Sequence, residues 1–154
     1  MLAVLVTGGI VTLPLITSLG LALWTRAGRR FAVSDQLDGV ALVAVLIAAL
    51  TLLGTVGLVA FGPATIVWQT FWMPGVAGGP SLGFGFLVDG LARLFALTVA
   101  LISLLALIFS VRYVPHEMAE HATRRPTAAY YAMMLLFTGA MLGLVFAVDL
   151  IQLY

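Results

Sequence analysis

An all-α fold of about four membrane-spanning helices is what this sequence predicts, and three observations carry the prediction. Hydrophobic residues make up 63% of the chain and charged residues 8%, with a mean hydropathy of +1.19. Soluble domains carry roughly 25% charged residues, so this chain could not cover a water-facing surface. Four apolar stretches run along it, each long enough at about 1.5 Å per residue to cross a hydrocarbon layer of roughly 30 Å. Six of the seven basic residues, all arginine, fall in the polar stretches between them. The 154 residues read as one multi-pass membrane domain, solvated by lipid.

The same composition excludes other classes. A net charge of +1 from scattered arginines gives no basic patch for nucleic acid. Cysteine is absent, so there are no disulfides and no thiolate metal sites. The first apolar segment lacks the basic start of a signal peptide, since the first charge is Arg26, and it reads as a retained helix.

Each element has its own justification. Residues 5–24 form the first spanning helix, where Pro14 is tolerated because a nearby threonine or a neighbouring helix can take the freed carbonyl. Trp24 then falls at the interface. A polar loop with Arg26, Arg29 and Arg30 leads to Ser34 and Asp35, which suit a cap for the second helix, 39–61. Residues 62–82 mix prolines and glycines with Trp68, Phe71 and Trp72, a pattern for a loop lying along the interface. The third helix runs over 86–111, a polar cytoplasmic loop over 112–126 and the fourth helix over 127–148, with a fifth beginning at 149–154. Arginines cluster in the first and third loops and are missing from the middle one. The positive-inside rule therefore puts those two loops in the cytoplasm and both termini outside it.

Few residues suggest chemistry. Asp89 and Arg93 stand i,i+4 on the third helix, one turn apart on one face. One reading makes them a buried ionic element facing other helices. The other makes Asp89 a wet carboxylate at a helix start and Arg93 a side chain snorkelling to headgroups. His116, Glu117, Glu120 and His121 stand in the order His-Glu-x-x-Glu-His, which is neither zinc-protease pattern. They read as a solvated turn that could pass protons to an entrance. Gly139 and Gly143 are spaced for a close helix contact. No nucleophile–base pair and no metal triad can be assembled, so no catalytic site, metal or cofactor is expected.

Val88-Asp89-Gly90-Leu91-Ala92 resembles the Asp-Gly-Leu-Ser/Ala signature at the start of the third helix in antiporter-like membrane subunits. These occur in respiratory complex I, in Mrp-type multisubunit sodium/proton antiporters and in membrane hydrogenases. Ser110-Val111-Arg112-Tyr113-Val114-Pro115-His116-Glu117 resembles the loop that follows that helix. Tyr130 to Tyr154 resembles the fourth helix and the opening of the fifth. Membership implies a longer subunit, with two inverted repeats after an N-terminal group of three helices. By that comparison the chain supplies the three helices and the first helix of the first repeat. The glutamate of the family's fifth helix and its buried lysines have no counterpart here, as this sequence has no lysine.

Ion transport needs ionisable groups near mid-bilayer. The resemblance therefore implies other membrane subunits as partners, including one that carries the remaining antiporter-like helices, unless the chain is a piece of a longer polypeptide. It implies a multi-pass subunit in the cell inner membrane, within a proton- or sodium-translocating complex of the NADH-quinone-oxidoreductase or hydrogenase kind. A structural subunit without a transport role is the alternative.

Overall fold

A computed structural model describes residues 2–27, 36–73, 82–120 and 127–148. The chain folds as α1 (Leu2–Ala27), α2 (Gln36–Phe61), β1 (Ile66–Met73), β2 (Leu82–Val88), α3 (Gly90–Glu120) and α4 (Thr127–Val145). All four helices are long and apolar enough to cross a membrane, with candidate spans Ala3–Leu23, Gly39–Phe61, Gly90–Val114 and Ala128–Val145. The polytopic helical bundle expected from the sequence is the architecture found. Around it, α1 packs most closely on α4 and α2 on α3, while α1 also meets α2 and α3 meets α4.

Because the helices are apolar on every side, hydrophobicity does not choose the inward face. On α2 and the first half of α3 small size does, whereas α4 buries Tyr131, Leu135 and Leu142. Helix α2 buries Ala41, Ala44, Ala48, Thr51 and Thr55 and turns Leu42, Leu46, Leu50 and Leu53 outward. Helix α3 buries Ala92, Ala96, Ala100 and Ser103 and exposes Leu94, Phe95, Leu101 and Leu105. Lipid is as apolar as leucine, so helices gain little by hiding large side chains from it and more by bringing backbones close through small ones. Several buried threonine and serine hydroxyls fit this environment because they are satisfied within their own helices. Thr7, Thr51, Ser110 and Thr138 donate to the carbonyls of Ala3, Ile47, Ala106 and Met134 at 2.7–2.9 Å.

Two stretches differ from the sequence expectation. Residues 62–82, expected as an irregular interfacial loop, hold strand β1, which pairs antiparallel with β2 so that Ile66 faces Val88 and Gln69 faces Gly85. The glycines and prolines that suggested a loop cluster between two runs rich in β-branched and aromatic residues, which is a hairpin pattern. Because strand β2 takes residues 82–88, α3 begins at Gly90 rather than at 86. At its other end α3 continues through Pro115 to Glu120, where a loop from 112 was expected. Pro115 has no N–H for the Val111 carbonyl, so one helical bond is lost, but its fixed φ is helical and the helix carries on beyond it. The beginning of a fifth helix at 149–154 lies outside the described residues.

The hairpin closes one end of the bundle. Its second edge is tied to α4, where the Leu87 N–H donates to the Phe146 carbonyl at 2.9 Å. Trp68 and Phe86 stack at 6.0 Å between centroids, and Phe84 meets Phe86 edge-on at 5.8 Å. Ile66, Phe86 and Val88 join Ile10, Leu58, Ala92, Leu142 and Phe146 in one buried cluster. A second cluster, built from Ala41, Ala44, Ala48, Leu107, Tyr131 and Leu135, fills the opposite end.

Candidate functional site

The charged candidates Asp89 and Arg93 sit where α2 ends, the hairpin returns and α3 starts. Asp89 follows the fully buried Val88 and precedes Gly90, the first residue of α3. Its Oδ1 accepts from the Ala92 N–H at 2.7 Å, and its carbonyl accepts from the Arg93 N–H at 3.1 Å. This is an N-cap: one orphan donor of the first turn is satisfied, and a carboxylate faces the positive end of the helix dipole.

Arg93 points away from its own helix start. Its Nη1 donates to the Gly62 carbonyl at 3.5 Å and its Nη2 to the Pro63 carbonyl. Those carbonyls lie just past the C-terminus of α2, where helix acceptors lack intrahelical partners and the dipole is negative. Gly62 suits the end of α2, where its N–H donates to the Leu58 carbonyl at 3.0 Å and a Cβ would run into that same oxygen. The Arg93 Nε is buried without a hydrogen-bond partner. The i,i+4 pair therefore works on two different helix ends: Asp89 starts α3 and Arg93 finishes α2. The hydrogen bonds of both side chains run to backbone. Gly62 and Pro63 were legible only as a helix stop, glycine followed by proline.

The remaining candidates are dispersed. His116, Glu117 and Glu120 lie in the last turns of α3 rather than in a loop, and His121 lies outside the described residues. Among the described residues no group of three His, Asp or Glu side chains could hold a metal. Gly139 lies against α1, where a Cβ would come within 2.7 Å of Leu15 Cγ and 3.2 Å of the Leu15 backbone nitrogen. Gly143 is looser, with Val11 Cγ1 at 3.6 Å. The glycine face, spaced for a close helix contact, meets this chain's own first helix. Glycine allows the backbones to approach, and α1 is the helix within reach.

Polar groups between the helices are few. The Ser110 and Tyr130 hydroxyls bridge α3 and α4 at 2.9 Å, a contact between residues 20 apart that no local pattern signals. The Tyr131 hydroxyl is buried without a partner. Within the four spans the only charged side chains are Arg93 and Arg112, near the two ends of the third span. This region can anchor and orient helices. Among the described residues it offers no chain of ionisable groups through the bilayer.

Comparison with known proteins covers the same region. Residues 72–122, which include Asp89, Arg93 and the His-Glu-x-x-Glu-His segment, match the family described as NADH-ubiquinone oxidoreductase (complex I), chain 5 N-terminus. The chain is 31% identical over 88 residues to the chloroplastic NAD(P)H-quinone oxidoreductase subunit 5 of Amborella trichopoda. It is 32% identical to that of Phaseolus vulgaris and 34% identical to that of Pentatrichia integra over the same length. Each match takes in 57% of this chain and 11% of the relative, so the chain spans about a tenth of the length of these relatives. The antiporter-like resemblance read from the sequence is borne out for this N-terminal portion. The similarity points to an antiporter-like subunit of a membrane complex.

Proposed function

We propose that this antiporter-like segment supplies the N-terminal helices of a subunit in a multisubunit proton- or sodium-translocating complex, and that it supports the translocating helices without conducting ions itself. The observation that carries this reading is the match of residues 72–122 to the complex I chain 5 N-terminus. The supporting role is argued from the spans: their only charged side chains lie near the ends of the third one, and a path for protons or sodium needs ionisable groups near the middle. The partners are other membrane subunits, with the remaining antiporter-like helices among them, and the setting is the cell inner membrane. In this arrangement Asp89 and Arg93 hold the junction of α2, the hairpin and α3 against which further helices pack.

The experiment compares Asp89→Ala with Asp89→Asn in the whole complex, measuring its yield and the cation-driven pH change in inverted vesicles. Loss of an N-cap costs about 0.5–2 kcal/mol, and asparagine caps about as well as aspartate. Asp89→Ala is expected to lower complex yield and transport together, and Asp89→Asn to retain both. Normal yield and normal transport in Asp89→Ala would overturn the proposed role of this junction. Normal yield with transport lost in both variants would instead place the carboxylate on the ion path.

A further inference from the structure

The outward face of α3 ends in a cation. Stepping back from Arg112 by four and three residues in turn gives Ile108, Leu105, Leu101, Thr98 and Leu94, the spacing that keeps to one line along a helix. All six residues are exposed, on the side of α3 away from its buried alanines. The Thr98 hydroxyl donates to the Leu94 carbonyl at 2.9 Å, so it adds no free donor to the stripe. Arg112 is the one charge on it. A guanidinium has five N–H donors, and no hydrogen bond or ion pair ties this one to any of the described residues. Arg93, near the other end of the same span, is turned onto two carbonyls instead. Phe109 and Tyr113, their rings stacked at 5.4 Å between centroids, border Arg112 where aromatic side chains meet the membrane interface.

An apolar ridge that ends in an unpaired cation is the complement of an amphiphile with an anionic head. The ridge is also unlike the helix contacts within the bundle, each of which has a small side: the alanines of α2 lie against Leu107, Tyr131 and Leu135, and Gly139 lies against Leu15. The stripe has no glycine, alanine or serine, so the close backbone approach that spanning helices gain from is not built into it. Acyl chains need no such approach. From Leu101 to Arg112 is about 16 Å along the axis, which matches one leaflet's half of a hydrocarbon layer of roughly 30 Å. A chain laid on Leu101, Leu105 and Ile108 therefore brings its phosphate to the guanidinium, whose planar fork suits phosphate oxygens. A zwitterionic headgroup carries its own ammonium and leaves the arginine charge in place, whereas an anionic one neutralises it. We propose that the outward stripe of α3 binds an anionic phospholipid, with the phosphate on Arg112 and one acyl chain along Leu101, Leu105 and Ile108.

The test places the whole complex in phosphatidylcholine vesicles that contain a trace of phospholipid with a diazirine in one acyl chain, either phosphatidylglycerol or phosphatidylcholine. After irradiation, mass spectrometry locates the labelled residues. At residues 101–109 the phosphatidylglycerol probe is expected to label about five-fold more than the phosphatidylcholine probe, the preference that one arginine near a membrane surface gives. Arg112→Gln should abolish the preference while both probes still label the stripe, and Arg112→Lys should keep most of it. Leu50 and Leu53 are exposed on α2, a helix without an arginine, and should be labelled by both probes alike in every variant, which also reports that the variants fold. Equal labelling of 101–109 by the two probes in the unaltered complex would overturn the proposal. So would a preference that survives Arg112→Gln, or the absence of labelling at 101–109 by either probe, as when another polypeptide covers the face.

Discussion

A guanidinium within one turn of a helix start must find acceptors within reach of its own stem, and Arg93 finds them on α2. The backbone of the first turn offers donors, not acceptors, so a cation there is poorly placed unless another element supplies carbonyls. The end of α2 supplies two, at Gly62 and Pro63. Contact distances separate the two glycines of α4 in the same residue-level way. Gly139→Ala is expected to destabilise the purified protein by about 1–3 kcal/mol, because the new methyl group must displace Leu15 and the backbone of α1. Gly143→Ala, which meets only an ordinary van der Waals contact, should leave thermal inactivation nearly unchanged. Tyr131→Phe should be neutral or stabilising in the same measurement, since it removes a buried hydroxyl that has no partner.

Among the elements, the hairpin is the part whose packing most depends on one residue. Gly85 lies opposite Gln69, and a Cβ there would run into the Trp68 carbonyl oxygen. A side chain at this position cannot be accommodated without moving the strand. Gly85→Val is expected to detach β1 from β2 and to shift tryptophan fluorescence to longer wavelength, because two of the three tryptophans, Trp68 and Trp72, lie on β1. An unchanged emission maximum would show that the pairing tolerates the branch. The hairpin also explains why the third helix starts late: residues 84–88 are apolar enough to continue it, but their backbone groups pair with β1 and, at Leu87, with the end of α4.

At the scale of the whole molecule, orientation in the bilayer is the testable property. The arginine distribution expects the loop between α1 and α2 on the cytoplasmic side and the hairpin turn on the other. Because the chain has no cysteine, single cysteines report this cleanly. In intact cells Ala77→Cys should react with a membrane-impermeant maleimide and Gly28→Cys should not, and the reverse pattern would invert the topology. The arrangement α1 on α4 and α2 on α3 brings the first and last described helices together, so both ends of this stretch contribute to one closed bundle.

How much was legible follows from the kind of interaction involved. Span number and class depend on length, hydropathy and the scarcity of charge, which are properties of single segments read along the chain. The helix N-cap at Asp89 was available as one of two readings, since a cap is a local event over three residues. The partner of Arg93 was not available, because its acceptors lie 30 and 31 residues away and become neighbours only when α2 packs on α3. Which face of each helix turns inward was hidden for a related reason. In a chain apolar on every side, burial is decided by which surfaces meet at helix–helix contacts, small residues on α2 and larger ones on α4, and those contacts exist only in the assembled bundle.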